Sequence, residues 1–403
     1  MPSKKVRTAR LEKDLSEPVP IPDAGIERAV SVMQSGRLFR YGEFEGGESE
    51  VAQLERQFAD YMGSKYAAAT NSCGSAMFVA LKSAGVKPGD DVLVNAFTLA
   101  PVPGAVEHVG ANPVFVECDE NCCMDLDDFA AKARSGAKVL LLSHMRGHMA
   151  DMDRLSGICR RHGIMLIEDC AHTLGARWNG RRSGTFGDIA CFSLQAFKHI
   201  NAGEGGILTT DDEEIAAKAI LYSGSYMLYA QNGARPPLDV FERHKRDVPN
   251  FSLRMNELTA AVARPQIGLL DERAQAWRER YQWLADLFAS VEHLRVPERD
   301  QREEFVPSSI QFFLTDIDVD AIPGILDRCR ARGVDIKWFG SSEPSGFTST
   351  WQDWKYVADD QSLPETRRLL ELLCDMRIPV TLTEDDCRVI AAILDDAIRQ
   401  PGR

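Results

Sequence analysis

Between residues 66 and 210 the chain alternates short apolar runs with amphipathic stretches, and this alternation limits the fold more than any other feature. "KYAAAT", "DVLVNA", "NPVFVECD", "AKVLLLSH", "IMLIEDC", "IACFSL" and "GILTT" each read as a strand. "VPGAVEHVG", "LDDFAAKA" and "DMDRLSGICRRHG" between them read as helices, and residues 50–61 supply another ahead of the first strand. Strands apolar on both faces and separated by helices mark a parallel sheet covered on both sides. The expected fold class is therefore α/β, with a large, mostly parallel seven-stranded sheet domain over residues 47–264. After Arg264 the pattern changes to one long amphipathic helix, then "SSIQFFL", "IPGILDRCRARG", "VDIKWF" and a terminal helix from Glu384. That suits a smaller α+β domain over residues 265–403. Residues 1–46 are expected to form an arm and a helix packing on that C-terminal domain. The polar, proline-bearing residues 230–249 read as a long loop.

Composition excludes several classes. A net charge of −13 speaks against a broad nucleic-acid surface. No apolar run reaches the length of a membrane span, and the basic N-terminus lacks the apolar centre of a secretory signal, so a cytoplasmic protein without membrane partners is expected. The ten cysteines are mostly scattered singly through apolar stretches, as buried thiols are. Cys118, Cys122 and Cys123 have no paired Cys-x-x-Cys partner. His144 and His148 stand four apart but flank Gly147 after a strand, so no metal site is expected.

Four features fall where strands meet helices, the edge at which open parallel sheets bind ligands. Gly74 and Ser75 begin a helix, whose first N–H groups can hold a phosphate. Asp169 closes the strand "IMLIED", His172 follows by three, and Ser193 ends the next strand. Lys198 lies in the turn before "GEGG", an odd place for the residue type least suited to burial. Each alone has an ordinary reading as a cap, a loop solvator or a surface charge. Together they supply the lysine amine, the carboxylate partner for a pyridine nitrogen, the group beside a phenolic oxygen and the phosphate cradle that pyridoxal phosphate chemistry needs.

The ordered set "TNSCGSA", "IEDCAH", "GTFGD", "FSLQAFKHINAGEGG" and "RMNELTAAV" resembles the DegT/DnrJ/EryC1/StrS family of pyridoxal phosphate-dependent sugar aminotransferases, over nearly the whole chain. The resemblance implies the fold type I architecture and a homodimer with shared active sites. It makes Lys198 the residue that forms an imine with the cofactor, Asp169 the partner of the pyridine nitrogen and His172 the neighbour of the phenolic oxygen. Gly74, Ser75 and Ser193 become phosphate ligands. Some sugar-dehydrating relatives carry histidine in place of the lysine; here His199 merely follows Lys198.

Two positions depart from the family pattern. Leu99 stands where an aromatic residue usually covers the cofactor ring: either the leucine covers it or the loop shifts and Phe97 serves. Ser252 stands where an asparagine of the neighbouring subunit usually reaches the phosphate, and Asn250 is its alternative. Arg254, Lys337 and Tyr41, the last within "RLFRYG", are candidate substrate contacts. The resemblance implies transfer of an amino group from glutamate or glutamine to a keto-sugar, nucleotide-linked in many relatives, or to a keto-cyclitol. A sugar dehydratase and a cofactor-binding regulatory protein without turnover are the alternatives.

Overall fold

The computed structural model describes residues 9–44, 47–343, 350–358 and 361–400. Seven strands build the main sheet: β1 (Tyr66–Thr70), β2 (Asp91–Asn95), β3 (Asn112–Val116), β4 (Val139–Ser143), β5 (Met165–Asp169), β6 (Ile189–Ser193) and β7 (Gly206–Thr210). Their spatial order is β1-β7-β6-β5-β4-β2-β3. All neighbours from β6 to β3 pair parallel, and β7 alone runs against its neighbours β6 and β1. The apolar runs are explained by burial on both faces. Within β4, Val139 and Leu141 join one apolar cluster, whereas Leu140 and Leu142 join another on the opposite side. Each such leucine contributes about 1.5–3 kcal/mol by leaving water.

Register places the candidate residues together. Ser143 pairs with Asp169 and Asp169 with Cys191, while Gly206 sits between Ser193 and Thr70. The ends of β1, β4, β5 and β6 therefore share one edge with the start of β7. Helix Cys73–Ser83 begins there, immediately after β1.

A second, antiparallel sheet orders Leu294–Arg295, Ser309–Leu314, Leu373–Arg377 and Lys337–Trp338. It is backed by helices Leu270–Phe288, Ile322–Arg330 and Glu384–Arg399. The strand Leu373–Arg377 and its preceding helix Pro364–Leu372 were not among the sequence expectations. One apolar cluster runs from Leu140 and Leu166 through Trp277 to Phe312 and Ile390, so the two sheets share a continuous core.

The N-terminal segment divides its contacts. Leu11 N donates to Arg332 O at 2.9 Å, and Leu11, Leu15 and Val19 enter the shared core. Helix Asp23–Ser35, expected on the C-terminal domain, lies instead along helix Glu257–Ala263. Gly25 faces that helix, and a Cβ there would make a tight contact of 3.2 Å with Val262 O. Residues 230–249 are also more ordered than a long loop. They hold helix Leu238–His244, whose Val240 and Phe241 are buried, with Phe241 stacked on Tyr229 at 4.4 Å.

Candidate active site

At the shared sheet edge lies a cavity of about 810 Å³, lined by Gly74, Asp169, His172, Ser193 and Lys198 among others. The turn that carries Lys198 is closed by backbone bonds: Leu194 N donates to Gly205 O at 2.9 Å, Ala196 N to Gly203 O at 3.0 Å and Lys198 N to Gln195 O at 2.8 Å. The glycine-rich run thus folds back on β6 and leaves the lysine side chain reaching across the cavity floor.

Lys198 Nζ lies 2.7 Å from His172 Nε2. Burial, with Arg146 nearby, brings the Lys198 amine down to about 7 against a partial opposing pull from Asp169. Burial and the Lys198 charge hold His172 well below the ordinary imidazole range, so its Nε2 accepts a hydrogen bond from the amine. His172 Nδ1 is buried without a protein partner, a polar atom awaiting a ligand.

Asp169 is anchored at two oxygens. Ser143 Oγ donates to Oδ2 at 3.0 Å and Ala171 N to Oδ1 at 3.1 Å, with Cys73 Sγ 3.8 Å from Oδ1. Its neighbour Glu168 points the other way and is fully buried. Glu168 accepts backbone N–H bonds from Gly184 at 3.0 Å, Phe186 at 2.8 Å and Gly187 at 2.7 Å, and lies 3.1 Å from His144 Nε2. "GTFGD" therefore clamps a carboxylate beneath the site. A Cβ on Gly187 would stand 2.4 Å from Leu166 O, which explains the glycine. His144, Glu168 and Cys170 bring potential metal-ligand atoms within 4.8 Å of one another, but the Glu168 oxygens are committed to these donors.

Helix Cys73–Ser83 starts at the same cavity. Ser72 caps the helix by accepting from Ser75 N, and Cys73 and Gly74 of its first turn line the cavity. β7 approaches closely here: a Cβ on Gly206 would lie 2.2 Å from Ser72 O, so only glycine fits. Ser75 is turned aside. Its hydroxyl donates to Asn71 Oδ1 at 2.6 Å, and it does not line the cavity.

Several expected contacts are separated from the cavity. Leu99 lines it, whereas Phe97 is wholly buried, edge-on to Phe339 at 5.1 Å between ring centres. Of these two, the leucine faces the site. Tyr41 is buried with its hydroxyl 3.2 Å from Asn232 Oδ1, and its neighbour Arg40 makes a bidentate pair with Glu55 at 2.8 and 2.9 Å. That pair neutralises a buried guanidinium, so Arg40 and Tyr41 are packed inward, whereas Arg37, Leu38, Phe39 and Gly42 of "RLFRYG" are exposed. Arg254 donates to Gly224 O at 2.9 Å and stacks near Phe39 and Tyr226. Ser252 and Asn250 are exposed, the latter accepting from Tyr226 N at 2.7 Å. Lys337 lines a neighbouring cavity of about 620 Å³.

Two arginines not singled out from the sequence do line the site. Arg146 adopts a left-handed backbone, φ 57°, and pairs with Asp375 at 2.9 Å. Arg377, at the end of strand Leu373–Arg377, lies over the Phe197 ring at 3.8 Å from its centre. An arginine in a left-handed conformation gives no local sequence signal, and Arg377 comes from the C-terminal sheet.

The family model for the DegT/DnrJ/EryC1/StrS aminotransferases matches residues 23–394. The chain belongs to this family. The spore coat polysaccharide biosynthesis protein SpsC of Bacillus subtilis (strain 168) is 33% identical over 267 residues, 64% of this chain and 65% of SpsC. The match thus spans just under two thirds of that relative. The L-glutamine:2-deoxy-scyllo-inosose aminotransferase of Streptomyces kanamyceticus is 33% identical over 297 residues, 71% of this chain and 69% of its own length. The crystal structure of 3-amino-5-hydroxybenzoic acid synthase superposes with a TM-score of 0.81 at 28% identity, covering 95% of this chain and 98% of the other. The shared fold is that of pyridoxal phosphate enzymes of type I.

The family depends on pyridoxal phosphate, and the residues present fit it. An amine, a two-point-anchored carboxylate, an unpartnered buried ring nitrogen and a helix N-terminus line one cavity. Among the described residues, no helix is long and apolar enough to cross a membrane.

Proposed function

We propose that this chain is an aminotransferase that moves the amino group of glutamate or glutamine to a keto-sugar or keto-cyclitol. The single observation that carries this reading is the Lys198–His172 contact at 2.7 Å in the cavity that also holds Asp169. When bound, pyridoxal phosphate supplies an aldehyde that exchanges amines and a ring that takes up the electron pair released at the donor's α-carbon.

The chain's own residues do the rest. Lys198, with its amine brought to about 7, is poised to take the α-proton from the donor and to return a proton to the carbon on the far side of the donor's nitrogen. His172 accepts a hydrogen bond from that amine and so aims it. Asp169, oriented by hydrogen bonds from Ser143 Oγ and Ala171 N, would pair with the pyridine nitrogen and keep it protonated. The helix N-terminus at Gly74 and the Ser193 hydroxyl hold the phosphate. Leu99 gives the ring an apolar wall where relatives carry an aromatic one.

The cytoplasmic homodimer expected from the sequence belongs to the same reading. Its support is an exposed apolar group, Phe39, Tyr226, Met227 and Phe251, beside Arg254, Ser252 and Asn250. Patches of this kind mark interfaces. Through it Ser252 or Asn250 would serve the partner's phosphate site.

The test is transfer of label. Purified protein with pyridoxal phosphate, nitrogen-15 glutamate or glutamine and 2-deoxy-scyllo-inosose or a nucleotide-linked 4-keto-sugar should give an amine carrying the label. Loss of water from the sugar with no nitrogen gained would instead favour the dehydratase. A stable coloured complex that never releases a keto acid would favour a binding protein.

A further inference from the structure

Asp169 stands at the end of a buried hydrogen-bond chain that crosses three strands. The register of β2 with β4 stops at the pair Val94–Leu141, and Ser143 N, two residues on, is met by a side chain: it donates to Asn95 Oδ1 at 2.8 Å. The other end of the same amide, Asn95 Nδ2, donates to Phe97 O at 2.7 Å. Asn95 is buried, so these two bonds satisfy a polar side chain that water does not reach. Phe97 leads directly into Leu99 and the cavity wall. Ser143 also lines the cavity, and its hydroxyl has one partner among the described residues, Asp169 Oδ2 at 3.0 Å. Asn95 and the pairing with β5 hold Ser143 by its backbone, so the fold does not need the hydroxyl.

An ionised carboxylate offers about four lone-pair directions and donates nothing. At Asp169 three are taken, by Ser143 Oγ, by Ala171 N and by the weak thiol donor of Cys73. One remains for the ring nitrogen. Burial works against that last bond, because a charged pair away from water can become a neutral one if the proton crosses to the carboxylate. Every hydrogen bond donated to a carboxylate favours its charged form and resists the crossing. Of the two side-chain donors here, the hydroxyl is the stronger. Resting on the pyridoxal phosphate site of the proposed function, we infer that Ser143 is a positioning residue, braced by Asn95, whose hydroxyl keeps the proton on the cofactor's ring nitrogen. That proton is what lets the ring take up the electron pair released at the donor's α-carbon. The same brace reaches Phe97 O, so one asparagine ties the partner of the ring nitrogen to the wall beside the ring.

The experiment reads the ring nitrogen itself. The protein is loaded with pyridoxal phosphate carrying nitrogen-15 in the ring, and the nitrogen NMR shift reports whether that atom is protonated. The inference predicts a pyridinium signal in the unmodified protein and a move toward the neutral-pyridine position in Ser143→Ala. Ser143→Thr, which keeps the hydroxyl, should leave the signal where it was. The rate at which glutamate or glutamine bleaches the cofactor band should fall at least about tenfold in Ser143→Ala, the effect of one hydrogen bond to a charged group. Asn95→Leu should move the ring signal in the same direction and also lower the melting temperature. A neutral signal in the unmodified protein overturns the inference. So does a pyridinium signal that Ser143→Ala leaves in place, whatever happens to the rate. Earlier melting of Asn95→Leu with an unmoved ring signal overturns the part assigned to Asn95. The NMR readout needs no turnover. A ring signal that answers to Ser143 in a protein that never transfers nitrogen would contradict the proposed activity and leave this assignment standing.

Discussion

Lys198 Nζ and His172 Nε2 stand 2.7 Å apart, two basic groups sharing one hydrogen bond at the end of the sheet. That closeness is tolerable only while at most one of them is charged. Burial acts on both in the same direction, bringing the amine to about 7 and the imidazole well below its ordinary range.

The first prediction concerns pH. The reactive amine is the neutral one, so the rate at which cofactor-free protein captures pyridoxal phosphate should rise through about pH 7 and level off by about pH 8. An ordinary lysine would keep gaining rate toward about pH 10. Stopped-flow absorbance across this range checks it, and a rate still climbing at about pH 9 contradicts it.

The same amine has a stability consequence. Its folded-state value is depressed below the unfolded one, so between about 7 and 10.5 the unfolded chain binds more protons. Stability of the cofactor-free protein should therefore rise with pH over that window from this group. Lys198→Met should stabilise the cofactor-free protein around pH 6, and the advantage should shrink toward about pH 10. Paired thermal melts give the answer; an advantage that is constant with pH would show that the amine is not perturbed.

Glu168 should matter to folding more than to chemistry. Its carboxylate satisfies the N–H groups of Gly184, Phe186 and Gly187 at once. Glu168→Gln turns an acceptor into a donor facing donors, and should cost about 2–3 kcal/mol in urea unfolding. Whatever protein remains folded should still form the cofactor band.

The two residues considered for the ring wall should separate by phenotype. Phe97 is core, so Phe97→Ala should cost about 3–5 kcal/mol of stability. Leu99 lines the cavity, so Leu99→Ala should weaken cofactor binding and leave the melting temperature of the cofactor-free protein within a few degrees. Reversed phenotypes would mean that the 97–99 segment sits differently.

Much of this architecture could be read from the chain because its signals are local. Runs such as "VLLLS" reveal a doubly covered strand, and Asp169, His172, Ser193 and Lys198 fall at strand ends where register brings them together. Arg146 and Arg377 escaped notice for the opposite reason. Their roles arise from a backbone twist and from the meeting of two sheets, neither of which leaves a pattern in nearby residues. The position of Glu168 follows from its neighbour. It adjoins Asp169 on a strand whose side chains alternate, so it had to face inward and needed donors, which "GTFGD" supplies. Leu238–His244 was missed because prolines and charges at its ends obscured two buried apolar residues.

The central claim is that Lys198 is the covalent anchor of an amino-transferring site. An absorbance scan of the protein with pyridoxal phosphate, before and after glutamate or glutamine, in parallel with Lys198→Ala, tests it most directly. The account predicts a lysine-dependent visible band that an amino donor converts to the colourless amine form with release of a keto acid. A band that forms equally in Lys198→Ala, or one that no amino donor bleaches, would contradict it.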